Sequence, residues 1–182
     1  MEPRDAARML VYVNGVVEHK KVSDITDFLQ AGDVLVVNET RVLPSRLSLT
    51  RSTGGRVEVL LLEPLQDDDS EWEALIRPGR KMRDGEFLTA SSGEKFAEVI
   101  ARSDAGDTFR IRLCVGATPG ERRAAIEAVG ALPLPPYITT TLEDLERYQT
   151  VYAHEAKSSA APTAGLHFTS ELLEKIENMG VT

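Results

Sequence analysis

The hydrophobic pattern of the first 45 residues predicts a hairpin, a helix and a buried strand. The segments MLVYV and VVEHKKV flank Asn14-Gly15, the two-residue signal of a tight turn. Ser23 is a helix N-cap candidate, and Gly32 follows the apolar positions of that helix. Residues 33–38, DVLVVN, form a continuous apolar run, which is typical of a strand buried on both faces.

Residues 46–116 alternate between apolar and polar side chains in short runs, which predicts β-structure throughout. The runs are RLSLT, RVEVLLLE, EWEALIR, KFAEVIA and TFRIRLCV, and Gly-containing turn signals separate them. Because an open sheet of such strands leaves two edges unpaired, we expect a small closed barrel. Cys114, the single cysteine, lies in the run TFRIRLCV and is expected to be a buried strand residue; a reactive thiol is the alternative.

The pattern becomes helical after residue 116. Thr118-Pro119 predicts the start of a helix that ends at Gly130, and further helices are indicated at 142–152 and from Thr169 or Ser170 to Met179. Val181-Thr182 has the pattern of a beginning strand. We therefore predict an α/β fold: a discontinuous α/β domain, residues 1–50 and 131–182, interrupted by a small β-barrel domain, residues 51–130.

Charge changes this picture only locally. The net charge is −8 over 182 residues, which by itself argues against a nucleic-acid partner. Residues 67–73 nevertheless hold five acids, and residues 77–83 (RPGRKMR) hold four bases, which is either a basic patch or a solvated turn. No apolar run is long enough to cross a membrane and the N-terminus does not have the pattern of a signal peptide, so we expect a cytoplasmic protein without a membrane partner. We also expect a monomer.

Two polar stretches are candidates for chemistry. The first follows the apolar run and contains neutral hydrogen-bonding groups and two guanidiniums, on Asn38, Thr40, Arg41 and Arg46; the alternative is a polar loop that closes a strand. The second spans residues 147–168 and combines polar and aromatic side chains, a small-residue segment and a histidine: Tyr148, Gln149, Thr150, Tyr152, Pro162, Thr163, Ala164, Gly165 and His167. A structural histidine is the alternative for His167. No second histidine or cysteine lies at metal-ligand spacing, so we expect no metal.

Several segments resemble the S-adenosylmethionine:tRNA ribosyltransferase-isomerase family. They are RDAARMLVY (4–12), GDVLVVNETRVLPSRL (32–47), GGRVEVLLLE (54–63), LPPYI (134–138), RYQTVYA (147–153) and AAPTAGLHFT (160–169). The resemblance implies an α/β domain with an inserted barrel. It also implies an enzyme of queuosine biosynthesis that consumes S-adenosylmethionine as a co-substrate, moving its ribosyl unit onto 7-aminomethyl-7-deazaguanine in the tRNA anticodon.

The resemblance also suggests roles for the candidate residues. Adenine loss needs a proton donor and the C5′ position needs a base, so His167 is predicted to act in one of these transfers. Tyr148, the second catalytic candidate, and Tyr152 are suited to stacking on a base or contacting a sulfonium. Arg41 or Arg46 would hold the methionine carboxylate or a tRNA phosphate. Because the family's C-terminal half is not among these residues, we expect weak turnover from this chain alone; the alternative is a non-catalytic RNA- or ligand-binding module.

Overall fold

The computed structural model describes residues 3–134, 144–158 and 161–182. The chain forms two compact units. The first comprises Met1–Arg41, Thr141–Ala156 and Ala161–Thr182, and the second comprises Val42–Thr140 and Lys157–Ala160. The proline-rich segment of the sequence, residues 135–138, lies outside the described residues. In the described part of the chain, no helix is both long and apolar enough to span a lipid bilayer.

The first unit begins with the predicted hairpin. After a 3-10 turn at Arg4–Ala6, strands β1 (Arg8–Val13) and β2 (Val16–Lys21) pair antiparallel, with Val13 opposite Val16. Asn14 and Gly15 have φ values of 51° and 84°, the two positive values that a type I′ turn requires. The hairpin prediction is therefore confirmed. The helix predicted at Ser23 is instead a 3-10 helix, Val22–Phe28.

Helix α2 (Ser170–Asn178) forms the core of the first unit. The Thr169 hydroxyl caps it by accepting from the Leu172 amide at 3.2 Å, and Gly180, with a φ of 82°, follows its end. Its apolar side packs in a cluster built on Leu172, Ile176 and Val181, with Val22, Ile25, Leu29, Leu35, Phe168 and Met179 around them. The predicted helix from Thr169 or Ser170 to Met179 is confirmed to within one residue.

Residues 33–38 do not form the predicted strand buried on both faces. The Leu35 amide donates to the Thr182 carbonyl at 2.7 Å, and the Thr182 amide donates to the Asp33 carbonyl at 2.9 Å. This is the bonding pattern of a single parallel bridge, as the pattern of Val181-Thr182 suggested. Leu35 packs on the core cluster, but Val34 and Val36 are 71% and 88% exposed. The prediction was wrong because the described part of this unit provides only one covering layer.

The second unit is a closed antiparallel barrel, as predicted. Its six strands are β4 (Arg46–Arg51), β5 (Arg56–Pro64), β6 (Glu71–Arg77), β7 (Phe87–Thr89), β8 (Lys95–Arg102) and β9 (Phe109–Leu113). They are hydrogen-bonded in the order β4-β5-β6-β9-β8-β7, and β7 pairs again with β4 through Thr50↔Thr89 and Arg51↔Leu88. This last pairing closes the barrel, so neither β4 nor β7 leaves a long free edge.

Alternate side chains of the strands fill the barrel. In β9 the burial pattern is strictly alternating, with Phe109, Ile111 and Leu113 inside. Cys114 follows the last of these, falls on the outer side and is exposed, so the prediction of a buried cysteine was wrong. Trp72 is buried, and its indole N–H donates to the Asp69 carbonyl at 3.0 Å.

A helix, three short strands and the 3-10 turns Gly79–Lys81, Leu145–Tyr148 and Gly165–His167 complete the described structure. Helix α1 (Pro119–Val129) has the predicted start, with a capping box between Thr118 and Glu121. Strand β10 (Gly130–Ala131) follows α1 and pairs with β4, while β3 (Thr40–Val42) pairs with β11 (Glu155–Ser158). In place of the helix predicted at 142–152, the residues from 144 onward contain only a 3-10 helix, Leu145–Tyr148, and then extend at Gln149.

Candidate functional site

Arg4 connects two segments of the first unit that are distant in sequence. Its guanidinium donates to the Gln149 carbonyl at 2.8 Å and to the Glu146 carbonyl at 3.3 Å. The turn that contains Arg4 also lies against the 3-10 turn Gly165–His167. Because Arg4 occupies carbonyl groups at the end of Leu145–Tyr148, it fixes the point where that helix stops. The N-terminal turn thus brings the two halves of the second candidate stretch into one neighbourhood.

The predicted polar stretch around Tyr148 is mostly buried. Tyr148, Gln149 and Thr150 are 7%, 5% and 5% exposed, whereas Tyr152 is half-buried. Burial raises the pKa of the Tyr152 phenol above its ordinary value, so the hydroxyl stays protonated at neutral pH and can donate a hydrogen bond. The buried Thr150 hydroxyl has no hydrogen-bond partner among the residues that the structure describes. An unpaired buried hydroxyl costs stability, which makes this position a candidate for contact with a ligand.

The small-residue segment approaches this stretch at Gly165, which is buried. A Cβ atom built on Gly165 would overlap the Tyr152 hydroxyl and would lie 3.0 Å from the Thr150 Cγ2 atom. The absence of a side chain is therefore what lets the two segments touch. The structure brings together Thr150, Tyr152 and Gly165, three of the residues predicted from sequence.

Tight turns place His167 at the surface. The Gly165 amide donates to the Pro162 carbonyl at 2.8 Å, and the His167 amide donates to the Ala164 carbonyl at 3.3 Å. Thr163, Ala164 and His167 are exposed, while Pro162 is half-buried. His167 is thus held by its backbone and not by burial of its ring, which leaves the imidazole accessible to a substrate.

The residues after the apolar run form a second group in the same unit. The Asn38 side-chain oxygen accepts from both the amide and the hydroxyl of Thr40, at 2.9 and 2.6 Å. Arg41 forms an ion pair with Glu146, beside the segment that Arg4 binds. The His154 amide donates to the Glu39 carbonyl at 2.9 Å. Glu39 and Arg41 are therefore tied to residues 144–154 by a hydrogen bond and an ion pair, while Asn38 and Thr40 bond to each other.

Arg46 does not belong to this group in the structure. It lies on barrel strand β4, in the second unit, where one guanidinium nitrogen is 3.2 Å from each carboxylate oxygen of Glu58. Glu58 sits across the β4–β5 pairing, two positions from the residue directly opposite Arg46. Arg46 thus forms a cross-strand ion pair with a residue of the adjacent strand β5.

Sequence reasoning missed Arg4 and Glu146 as candidate positioning residues. Both act over long sequence separations, since Arg4 bonds to residues 142 and 145 positions away and Glu146 pairs with Arg41 across 105 positions. No local pattern marks such residues, although Arg4 does lie in one of the family-like segments. Among the described residues, no group of three or more His, Cys, Asp or Glu side chains is arranged to hold a metal ion.

Comparisons with known proteins cover the whole chain. The family model described as "Queuosine biosynthesis protein" matches residues 1–182. Proteins named S-adenosylmethionine:tRNA ribosyltransferase-isomerase from Staphylococcus saprophyticus and Symbiobacterium thermophilum are 45% and 46% identical to this chain over 184 residues. Each alignment covers 100% of this chain and 52% of the relative, so the chain spans about half the length of the curated relatives it matches.

A search of solved structures finds a similar protein. The crystal structure of S-adenosylmethionine tRNA ribosyltransferase from Thermotoga maritima matches with 29% sequence identity and a TM-score of 0.39. The match covers 100% of this chain and 50% of that one.

Proposed function

We propose that this chain is part of a tRNA ribosyltransferase-isomerase, because it belongs to the queuosine biosynthesis protein family over its whole length. The proposed enzyme transfers the ribosyl unit of S-adenosylmethionine to 7-aminomethyl-7-deazaguanine in a tRNA anticodon, isomerises it to give epoxyqueuosine, and releases adenine and methionine. The observation that carries this proposal is a sequence identity of 44–46%, over 100% of this chain, to proteins named S-adenosylmethionine:tRNA ribosyltransferase-isomerase.

Proton transfer is the chemistry we assign to His167. Adenine is a poor leaving group unless its ring is protonated, and the hydrogens at C5′ become acidic beside a sulfonium. An imidazole changes protonation near neutral pH and serves either step. The exposed His167 ring, on a backbone fixed by consecutive turns, supports the assignment because a substrate can reach it. Tyr148 remains our second catalytic candidate, because it directly precedes Gln149 and Thr150, to which we assign substrate binding.

Substrate binding is assigned to the polar groups around Gly165. The unpartnered Thr150 hydroxyl and the protonated Tyr152 phenol supply hydrogen bonds, with Gln149 beside them and Pro162, Thr163 and Ala164 in the adjoining turn. Asn38 and Thr40 form the neighbouring polar edge. Arg41 has five N–H donors, and its ion pair with Glu146 leaves several of them for the methionine carboxylate. Arg46, on the barrel, would contact a tRNA phosphate.

The remaining features of the proposal follow from this chemistry. S-adenosylmethionine is consumed as a co-substrate and not used as a methyl donor, and the reaction as assigned needs no metal. We propose that the enzyme meets its tRNA substrate in the cytoplasm and that it acts as a monomer.

Adenine release tests the proposal. A fusion protein would join this chain to the part of the Symbiobacterium thermophilum relative that the alignment leaves uncovered. This fusion protein would be mixed with S-adenosylmethionine and a tRNA that carries 7-aminomethyl-7-deazaguanine. We expect adenine, methionine and epoxyqueuosine-containing tRNA in equal amounts. Formation of S-adenosylhomocysteine and methylated RNA would contradict the proposal. Tight tRNA binding without adenine release by a folded fusion would favour the non-catalytic binding module.

A further inference from the structure

The barrel unit carries a groove of about 1030 Å³ that the proposed chemistry does not use. It lies between the β4–β5 turn and the loop that joins β6 to β7, the RPGRKMR stretch of the sequence. Its lining holds five cations and two carboxylates: Arg51, Arg56, Arg80, Lys81, Arg83, Asp84 and Glu86. The groove is therefore positive on a chain whose net charge is −8.

Side-chain hydrogen bonds fix the shape of the groove. Arg51 donates to both carboxylate oxygens of Glu86, at 2.9 and 2.8 Å, and to the Lys81 carbonyl at 2.7 Å. At the other end of the loop, Arg102 donates to the Gly79 carbonyl at 2.6 Å while lying over the Phe109 ring. The loop backbone is thus held from two sides without using the remaining basic side chains. This makes the groove preorganised, which lowers the entropic cost of binding.

The other four cations of the groove have no acidic partner in the described part of the chain. Arg56, Arg80, Lys81 and Arg83 are exposed, and the part of the chain that the structure describes contains no ion pair to any of them. Several arginines elsewhere on the barrel unit do form ion pairs: Arg110 with Glu71, Arg112 with Glu71 and Glu98, and Arg123 with Asp69. Four cations without an ion pair in the described part of the chain therefore lie together at this groove.

We propose that this groove binds the phosphate backbone of the tRNA substrate; the inference rests on the proposed function and adds the surface that holds the RNA. Several cations along one loop suit a chain of phosphates better than a single small anion. Arginine in particular presents a planar fork to phosphate oxygens. The contacts would be independent of base sequence and would orient the tRNA without selecting its anticodon.

Two substitutions in the groove and one control substitution outside it test the proposal on the 182-residue chain. Arg80→Ala and Arg83→Ala each remove one free cation from the groove, and Arg110→Ala removes the same charge from an exposed strand position outside it. Binding of a fluorescein-labelled, unmodified tRNA transcript would be followed by anisotropy at several salt concentrations. Each groove substitution is expected to weaken binding several-fold and to lower the slope of log affinity against log salt by about 1, and both together by about 2.

The controls separate the possible outcomes. Arg110→Ala should leave affinity and slope close to those of the parent, and Trp72 fluorescence should show that the barrel of every variant is folded. Equal losses from all three substitutions would overturn the inference, because net charge alone would then explain binding. A folded parent chain that binds no tRNA would overturn it as well. Neither result bears on adenine release by the fusion protein, which tests the proposed function separately.

Discussion

Gly165 lies against Tyr152 so closely that a methyl group on the glycine would occupy the space of the tyrosine hydroxyl. The contact joins the small-residue turn that carries His167 to the buried polar stretch at residues 148–152. A side chain at position 165 would therefore disturb the packing of these two segments against each other.

Gly165→Ala is expected to destabilise the chain by about 1–3 kcal/mol, the usual cost of overpacking. Tyr152→Phe removes the overlapping oxygen, so the double variant should recover part of that loss; the 3.0 Å approach to the Thr150 methyl carbon remains. Urea unfolding of the parent, both single variants and the double variant measures this coupling. Gly120→Ala is the matched control, because nothing lies within 4 Å of a Cβ at Gly120. Strict additivity of the two substitutions would contradict the prediction.

The Thr150 hydroxyl provides a second test. Thr150→Val removes a buried hydroxyl that has no partner among the described residues, so the folded chain should be as stable as the parent or more stable. If the hydroxyl contacts substrate, the same change should weaken S-adenosylmethionine binding to the fusion protein by about tenfold, the equivalent of one hydrogen bond of ~1.4 kcal/mol. Calorimetry of binding and thermal melting give the two readouts. Loss of stability with unchanged binding would mean that Thr150 is purely structural.

His167→Asn should affect rate and leave stability nearly unchanged. Because the ring is exposed, the substitution is expected to change the free energy of unfolding by no more than about 0.5 kcal/mol. A lost general acid or base lowers turnover by about 10² to 10⁴. Adenine release by the fusion protein, measured beside its melting temperature, separates these effects. Turnover near that of the parent would remove His167 from the mechanism.

The Arg51–Glu86 pair predicts a pH-dependent stability. Hydrogen bonding from Arg51 is the main reason that the pKa of the Glu86 carboxyl lies below its ordinary value of 4.5. The unfolded chain therefore binds the proton more tightly, so the stabilisation is complete above pH 4.5 and is lost as the pH falls through the lower folded-state pKa. The stability difference between the parent and Glu86→Gln should be largest at neutral pH and should shrink in acid. Glu94→Gln, which removes a carboxylate from an exposed position elsewhere on the barrel unit, is the control substitution.

Features set by neighbouring residues were predictable from sequence. The Asn14-Gly15 turn, the Thr118 and Thr169 helix caps and the barrel strands each follow from local geometry or strict alternation. The apolar run at 33–38 was not predictable in this way, because its burial depends on which layers cover it. The burial of Cys114 was predicted wrongly, because the alternation that buries Phe109, Ile111 and Leu113 puts position 114 on the outer side of the barrel.

The candidate site shows the same limit. Sequence identified the polar stretch and the small-residue turn, which the structure places in contact at Gly165. It did not identify Arg4, whose role depends on a fold that brings residues 4 and 149 together. It also did not separate Arg41 from Arg46, which lie in different units with different acidic partners.

The short pairing between β4 and β7 has a dynamic consequence. Only Thr50↔Thr89 and Arg51↔Leu88 join these strands, and Arg51 is also the anchor of the groove loop. Opening this seam would therefore release the loop, even while the longer β5–β6 and β8–β9 pairings persist. Amide hydrogens along the seam should exchange with solvent through such partial openings and faster than those of β5 and β6, and bound RNA should slow that exchange.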